Sequence, residues 1–190
     1  MRFLSTLFVI SLLSIRCAEA QLTAPSDDAL AALLADDLHQ SETIPKLLPY
    51  LATKKALLLK WTEHPPAGVS DTNLFEGLAD AFGRLKMEEA VPFLAHRIAY
   101  VRLYAWRNKA TNTIRERMPY VKALIQIGPA AVPFLRKTYA EPLTADQRIM
   151  ILYTIAEIHD HTNETKAFLE LVRTDTERQL EFVNNGLDGR

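Results

Sequence analysis

Apolar residues recur three and four positions apart through most of the chain beyond residue 26, and no run alternates with period two. That periodicity predicts helices and no sheet. Leu74, Leu78, Phe82 and Leu85 form one such stripe, and Phe93, Leu94, Ile98 and Val101 form the next. Between them the chain must turn near Lys86, and the equivalent turn further on falls at Gly128, since glycine accepts the left-handed conformation that ends helices. A proline then opens each new helix, at a place where its missing N–H has no intrahelical partner to lose. The unit is helix, tight turn, helix. Four pairs follow: 26–40 with 44–61, 71–86 with 90–106, 117–127 with 131–140, and 144–158 with 164–173. A short helix over 175–183 closes the series, and 184–190 reads as a flexible tail. Ser26 is placed to cap the first helix, with Asp27 and Asp28 at its positive end.

The units repeat in their letters as well as in their pattern. Ala-Val-Pro-Phe-Leu occurs at residues 90–94 and again at 131–135, and Leu48-Pro49-Tyr50-Leu51 is a near copy. Upstream of the two full copies stand Ala81-Phe82-Gly83-Arg84-Leu85-Lys86 and Ala123-Leu124-Ile125-Gln126-Ile127-Gly128. A degraded fourth copy runs from Thr154-Ile155-Ala156-Glu157-Ile158-His159 to Lys166-Ala167-Phe168-Leu169, with Ala167 in the proline's place. The equivalent positions 49, 92, 133 and 167 are separated by 43, 41 and 34 residues, a period that calls for a repeat architecture. One helical pair cannot bury its apolar faces alone, whereas stacked pairs can, as in an α-solenoid. Within that stack Phe93 and Phe134 are expected to lie buried between layers, each costing about 3–5 kcal/mol on truncation to alanine.

These segments resemble the HEAT-repeat family, in its short bacterial HEAT-like (PBS-lyase-HEAT-like) form, which reads A-L-G-x-[IL]-G-x-x-A-V-P-x-L. Residues 81–94 and 123–135 match well, 44–51 partly and 154–169 loosely, so the resemblance covers residues 26–174 or thereabouts. It implies an all-α fold, a right-handed solenoid of about four helical hairpins. It implies little of function, because such repeats mostly serve as scaffolds and binding surfaces. Relatives of this form include bilin lyase subunits and a DNA glycosylase fold, and no residue here carries over from either.

Composition adds the compartment. Met1-Arg2, an apolar run from Phe3 to Ile15 and the triplet Ala18-Glu19-Ala20 have the order of a secretory signal peptide, cleaved after Ala20. The expected domains are a signal at 1–20, the solenoid at 21–183 and the tail at 184–190, and the protein is expected to be secreted or periplasmic. Cys17, the only cysteine, would leave with the signal, which excludes disulfides, thiolate zinc sites and cysteine catalysis in the remainder. Removing Arg2, Arg16 and Glu19 from 22 basic and 23 acidic residues leaves 20 and 22. That balance gives no general attraction to nucleic acid, and no second apolar stretch could span a bilayer.

Candidate chemistry concentrates at two connections. The first two proline intervals exceed the last by 9 and 7 residues, and the surplus lies at 62–70 and within 107–116, where solenoids carry binding loops. Trp61 and Trp106 precede these loops, and each is expected to pack against its own layer. From His96 to Lys122 only Glu116 opposes Arg97, Arg102, Arg107, Lys109, Arg115, Arg117 and Lys122, and most of these are expected to be solvated or balanced by acids of neighbouring repeats. The partner-binding set drawn from this is Trp61, His64, Trp106, Arg107, Lys109, Arg115 and Arg117, facing a protein or peptide of anionic character. His159-Asp160-His161 is the one arrangement with metal-ligand chemistry, and it marks the alternative of an exported metal-dependent module or enzyme. Asn163-Glu164-Thr165 is a glycosylation sequon. No nucleophile elbow, zincin motif or phosphate-binding glycine loop is present, so a non-enzymatic adaptor without cofactor is the leading expectation.

Overall fold

The computed structural model describes residues 25–36, 40–102 and 117–188, and every described element is helical. In chain order these are α1 (Asp27–Leu34), α2 (Gln40–Leu51), α3 (Lys55–Trp61), α4 (Asp71–Leu85), α5 (Val91–His96), α6 (Pro119–Ile127), α7 (Val132–Tyr139), α8 (Ala145–Ile158) and α9 (Asn163–Asp188). Short 3-10 turns precede α3, α5 and α7. The all-helical class read from the periodicity is therefore present.

The turns follow the expected chemistry. Ser26 and Ser70 cap α1 and α4 by accepting from the backbone N–H of Ala29 and Asn73. Thr144 and Gln147 form a reciprocal capping box on α8. α4 ends on Lys86 at φ 51° and α8 on His159 at φ 54°, both in the left-handed conformation, and α6 ends on Gly128 at φ 84° and ψ −149°, so one residue at each equivalent turn has a positive φ. Pro92 and Pro133 sit in the first turns of α5 and α7. Pro49 differs, since it lies inside α2 together with Pro45.

Successive first helices touch one another, α1 with α4, α4 with α6, and α6 with α8, while α5 packs on α7. α4 is the hub of this row. Its Leu74, Leu78 and Phe82 are wholly buried, and two glycines admit its neighbours. A Cβ on Gly77 would lie 2.0 Å from the Leu34 carbonyl oxygen of α1, and one on Gly83 would lie 2.8 Å from the Ala123 Cα of α6. The Leu34 carbonyl at the end of α1 is capped by the Gln40 side-chain amide, which donates to it at 2.7 Å and to Asn73 at 3.0 Å. That cap explains why α1 stops short of residue 40, where one continuous helix was expected.

Two further boundaries and one burial depart from the sequence reading. The second helix, expected over 90–106, ends at His96, because Arg97 and Ile98 close tight turns on Leu94 and Ala95 and the chain then runs out through Tyr100 to Arg102. The expected helices at 164–173 and 175–183 are a single helix, α9. No proline or glycine interrupts the join, and Arg173 bridges it by pairing with both Glu170 and Glu177. Third, only one of the two repeated phenylalanines is sheltered. Phe93 is half-buried among Phe75, Phe82 and Tyr120, but Phe134 is 42% exposed, which corrects the expectation that both lie between layers.

Candidate functional site

Two carboxylates one turn apart on α4 organise the middle of the protein. Glu76, 4% exposed, accepts from the Tyr100 hydroxyl at 2.7 Å and pairs with Arg102 Nε at 2.5 Å. Asp80 receives Arg84 Nε at 2.6 Å and Lys122 Nζ at 2.7 Å. Arg97 takes neither acid and lies over the rings of Phe93 and Phe75, 4.3 and 5.0 Å from their centroids. Two members of the basic run, Arg102 and Lys122, are thus paired with acids of α4, and Arg97 is engaged with aromatic rings. Burial pushes the Tyr120 hydroxyl up to about 12, and burial together with the bond to Glu76 raises Tyr100 further.

Burial also pushes the Asp80 carboxyl up, but hydrogen bonds from Lys122 and Arg84 outweigh it and hold the group below the usual carboxylate range. An acid whose folded pKa is depressed adds stability above its unfolded value, about 4, and loses it as pH falls through the folded value. Asp80→Asn is therefore expected to flatten the acid limb of the stability curve below about pH 4. Urea melts at pH 6 and pH 3 check this, and an acid limb as steep as that of the wild type would refute it.

Above this cluster the surface opens into an apolar cleft of about 250 Å³. One wall is the segment after α5 that carries Ala99 and Val101; the entry to α6 adds Arg117 and Met118; the start of α8 adds Asp146, Ile149 and Met150. Ile149 is 55% exposed there. α8 is apolar on more than one side. Ile151, Thr154 and Ile155 are buried, while Ile149, Leu152, Tyr153 and Ala156 repeat at i, i+3, i+4 and i+7 on the opposite side. A second stripe of this kind is the signal in the sequence that could have marked the cleft.

The residues expected to bind a partner are not brought together as a set. Trp61 is 5% exposed and belongs to the core. His64 is exposed in the 62–70 turn beside Glu63. Trp106, Arg107, Lys109 and Arg115 lie outside the described residues, as do the leader and its cleavage site. Among the described members of the set, Arg117 lines the cleft and Trp61 and His64 do not. Glu76 and Asp80 were missed, although their four-residue spacing on a helix rich in Gly and Ala (Gly77, Ala79, Ala81, Gly83) marks polar groups on a closely packed element.

The His159-Asp160-His161 turn serves the chain's own connection. His159 is the left-handed cap of α8, and Asp160 accepts from the hydroxyls of Thr165 at 2.5 Å and Thr162 at 2.9 Å. Thr162 in turn caps α9 by accepting from Thr165 N–H. Those bonds, Thr165 first, hold the Asp160 carboxyl below the usual range. The two imidazole centroids are 6.4 Å apart, and among the described residues no group of three His, Cys, Asp or Glu side chains is placed to hold an ion. The sequon's Thr165 is buried with its hydroxyl committed to Asp160. No described helix is long and apolar enough to cross a membrane. No protein-family model, curated protein or solved structure matches the chain.

Proposed function

We propose that the protein is an exported, non-enzymatic adaptor of the HEAT-like solenoid type, which binds a segment of another protein in the cleft between Val101, Met118 and Ile149. The cleft is the observation that carries this reading: apolar side chains line it, Ile149 among them 55% exposed, with Arg117 and Asp146 at its edges. Two methionines line it, and their unbranched chains adapt to an inserted side chain. The occupant is a peptide segment with an apolar anchor and a basic residue beside it, which meets Asp146. The row of first helices α1, α4, α6 and α8 and the positive-φ residue at each of three equivalent turns support the solenoid arrangement, and the leader-like N-terminus supports export.

The test places a photo-crosslinking amino acid at Lys137, away from the cleft, and at Ile149, within it, and exposes both proteins to envelope extract. A single partner crosslinked from position 149, through an apolar segment, and lost in competition with the wild type but not with Ile149→Asp, is the expected result. Crosslinking that is equal from both positions, or no specific adduct in repeated trials, would overturn the reading.

A further inference from the structure

The wall of the cleft is the stretch 99–102, where the chain leaves the turn after α5, and its side chains divide between two sides. Ala99 and Val101 face the cleft, while Tyr100 and Arg102 reach the buried carboxylate of Glu76. Lining and anchor thus fall at alternate positions of the stretch. This means that one acid, on the far side of the segment, holds both residues that flank Val101. The opposite lip is tied to the same point, since Arg102 N–H donates to the Arg117 carbonyl at 2.8 Å and Arg117 and Met118 continue the lining. Helix α5 has ended at His96, so no helical hydrogen bonds fix the wall. Its shape depends on these side-chain bonds, on that backbone bridge and on the turn bond from Tyr100 N–H to the Arg97 carbonyl at 2.9 Å.

We infer that Glu76 is the positioning residue of the cleft: through Tyr100 and Arg102 it sets where Val101 stands, and so whether the cleft is formed. Glu76 touches no occupant. It acts through the wall, and a change at Glu76 alters recognition without altering any lining side chain. The inference deepens the adaptor reading by naming what regulates its site, but the geometry it rests on exists with or without a partner. Tyr100 also packs edge-on against Tyr120 of α6, 5.6 Å between centroids, so the wall keeps one apolar anchor when a bond to Glu76 is cut. Removal of a single bond should therefore loosen the wall without unfolding the protein.

Native-state hydrogen exchange of the full chain, followed residue by residue and without any ligand, tests this. Three variants are compared with the wild type. Tyr100→Phe removes the hydroxyl bond, Glu76→Gln removes the ion pair but keeps an acceptor for Tyr100, and the double variant removes both. Protection of the Arg102 amide is expected to fall about tenfold in each single variant and further in the double variant, since a hydrogen bond to a charged group is lost. Core amides of α4 and α6, such as those of Phe82 and Leu124, are expected to keep their protection. Equal losses at Arg102 and in the α4 and α6 core would show a purely structural role and overturn the inference. Unchanged protection at Arg102 in the double variant would overturn it as well. Neither outcome touches the adaptor reading, which stands or falls on crosslinking at Ile149.

Discussion

Truncation of Phe82 to alanine is expected to cost the fold about 3–5 kcal/mol, while the same change at Phe134 costs less than about 1 kcal/mol. Phe82 is wholly buried on α4, the helix that touches α1, α2 and α6, and its ring meets Phe93 edge-on at 6.1 Å. The cavity left behind cannot collapse easily, because Gly77 and Gly83 already hold the neighbouring backbones at contact distance. A loss of this size is a large share of a typical domain stability of about 5–15 kcal/mol. Phe134 is already 42% in water, and its removal opens little space. Denaturant melts of both variants decide the matter. Equal losses would mean that Phe134 is sheltered in solution, and a Phe82 loss under about 1 kcal/mol would mean that α4 is not the hub.

The contrast shows what the repeated letters could and could not specify. Ala-Val-Pro-Phe-Leu dictates a local event: a 3-10 turn, then a helix with proline in its first turn and Val and Leu turned inward, and that event occurs twice. The stripe Leu74, Leu78 and Phe82 was legible for the same reason, since helical period alone decides which side is apolar. What surrounds the pentapeptide is not local. Phe93 meets rings from α4 and α6, whereas no repetition of five letters can supply such rings to Phe134. The end of α1 was illegible because it depends on Gln40 reaching back to Leu34 and across to Asn73, a contact 33 residues away in sequence. The cleft was hidden for a related reason. Its wall exists because α5 stops early, and nothing within residues 96–102 announces that two of them will turn to an acid on another helix.

That acid supplies the second large effect. Arg102→Met is expected to destabilise the protein by about 3 kcal/mol, because it strands the Glu76 carboxylate 4% exposed with the Tyr100 hydroxyl as its remaining partner. The figure is taken at the low end of the range for broken buried pairs, since a third of the Arg102 side chain already meets water. The cost lies in the unpaired charge and not in the lost contact, and that distinction makes the prediction specific. Replacing both partners, Glu76→Met with Arg102→Met, removes the stranded charge and lets apolar side chains fill the site, so most of the lost stability is expected to return. Tyr100 then loses its acceptor, but it is half-buried and its hydroxyl can turn to water at a cost of about 1 kcal/mol. A double-mutant cycle from urea melts at neutral pH reads the coupling directly. If the two single losses simply add, Glu76 and Arg102 do not interact in solution, and the wall of the cleft must be held by something else. If the double variant recovers its stability but the Arg102 amide exchanges freely, the pair was dispensable to the fold and its purpose is the placement of Val101.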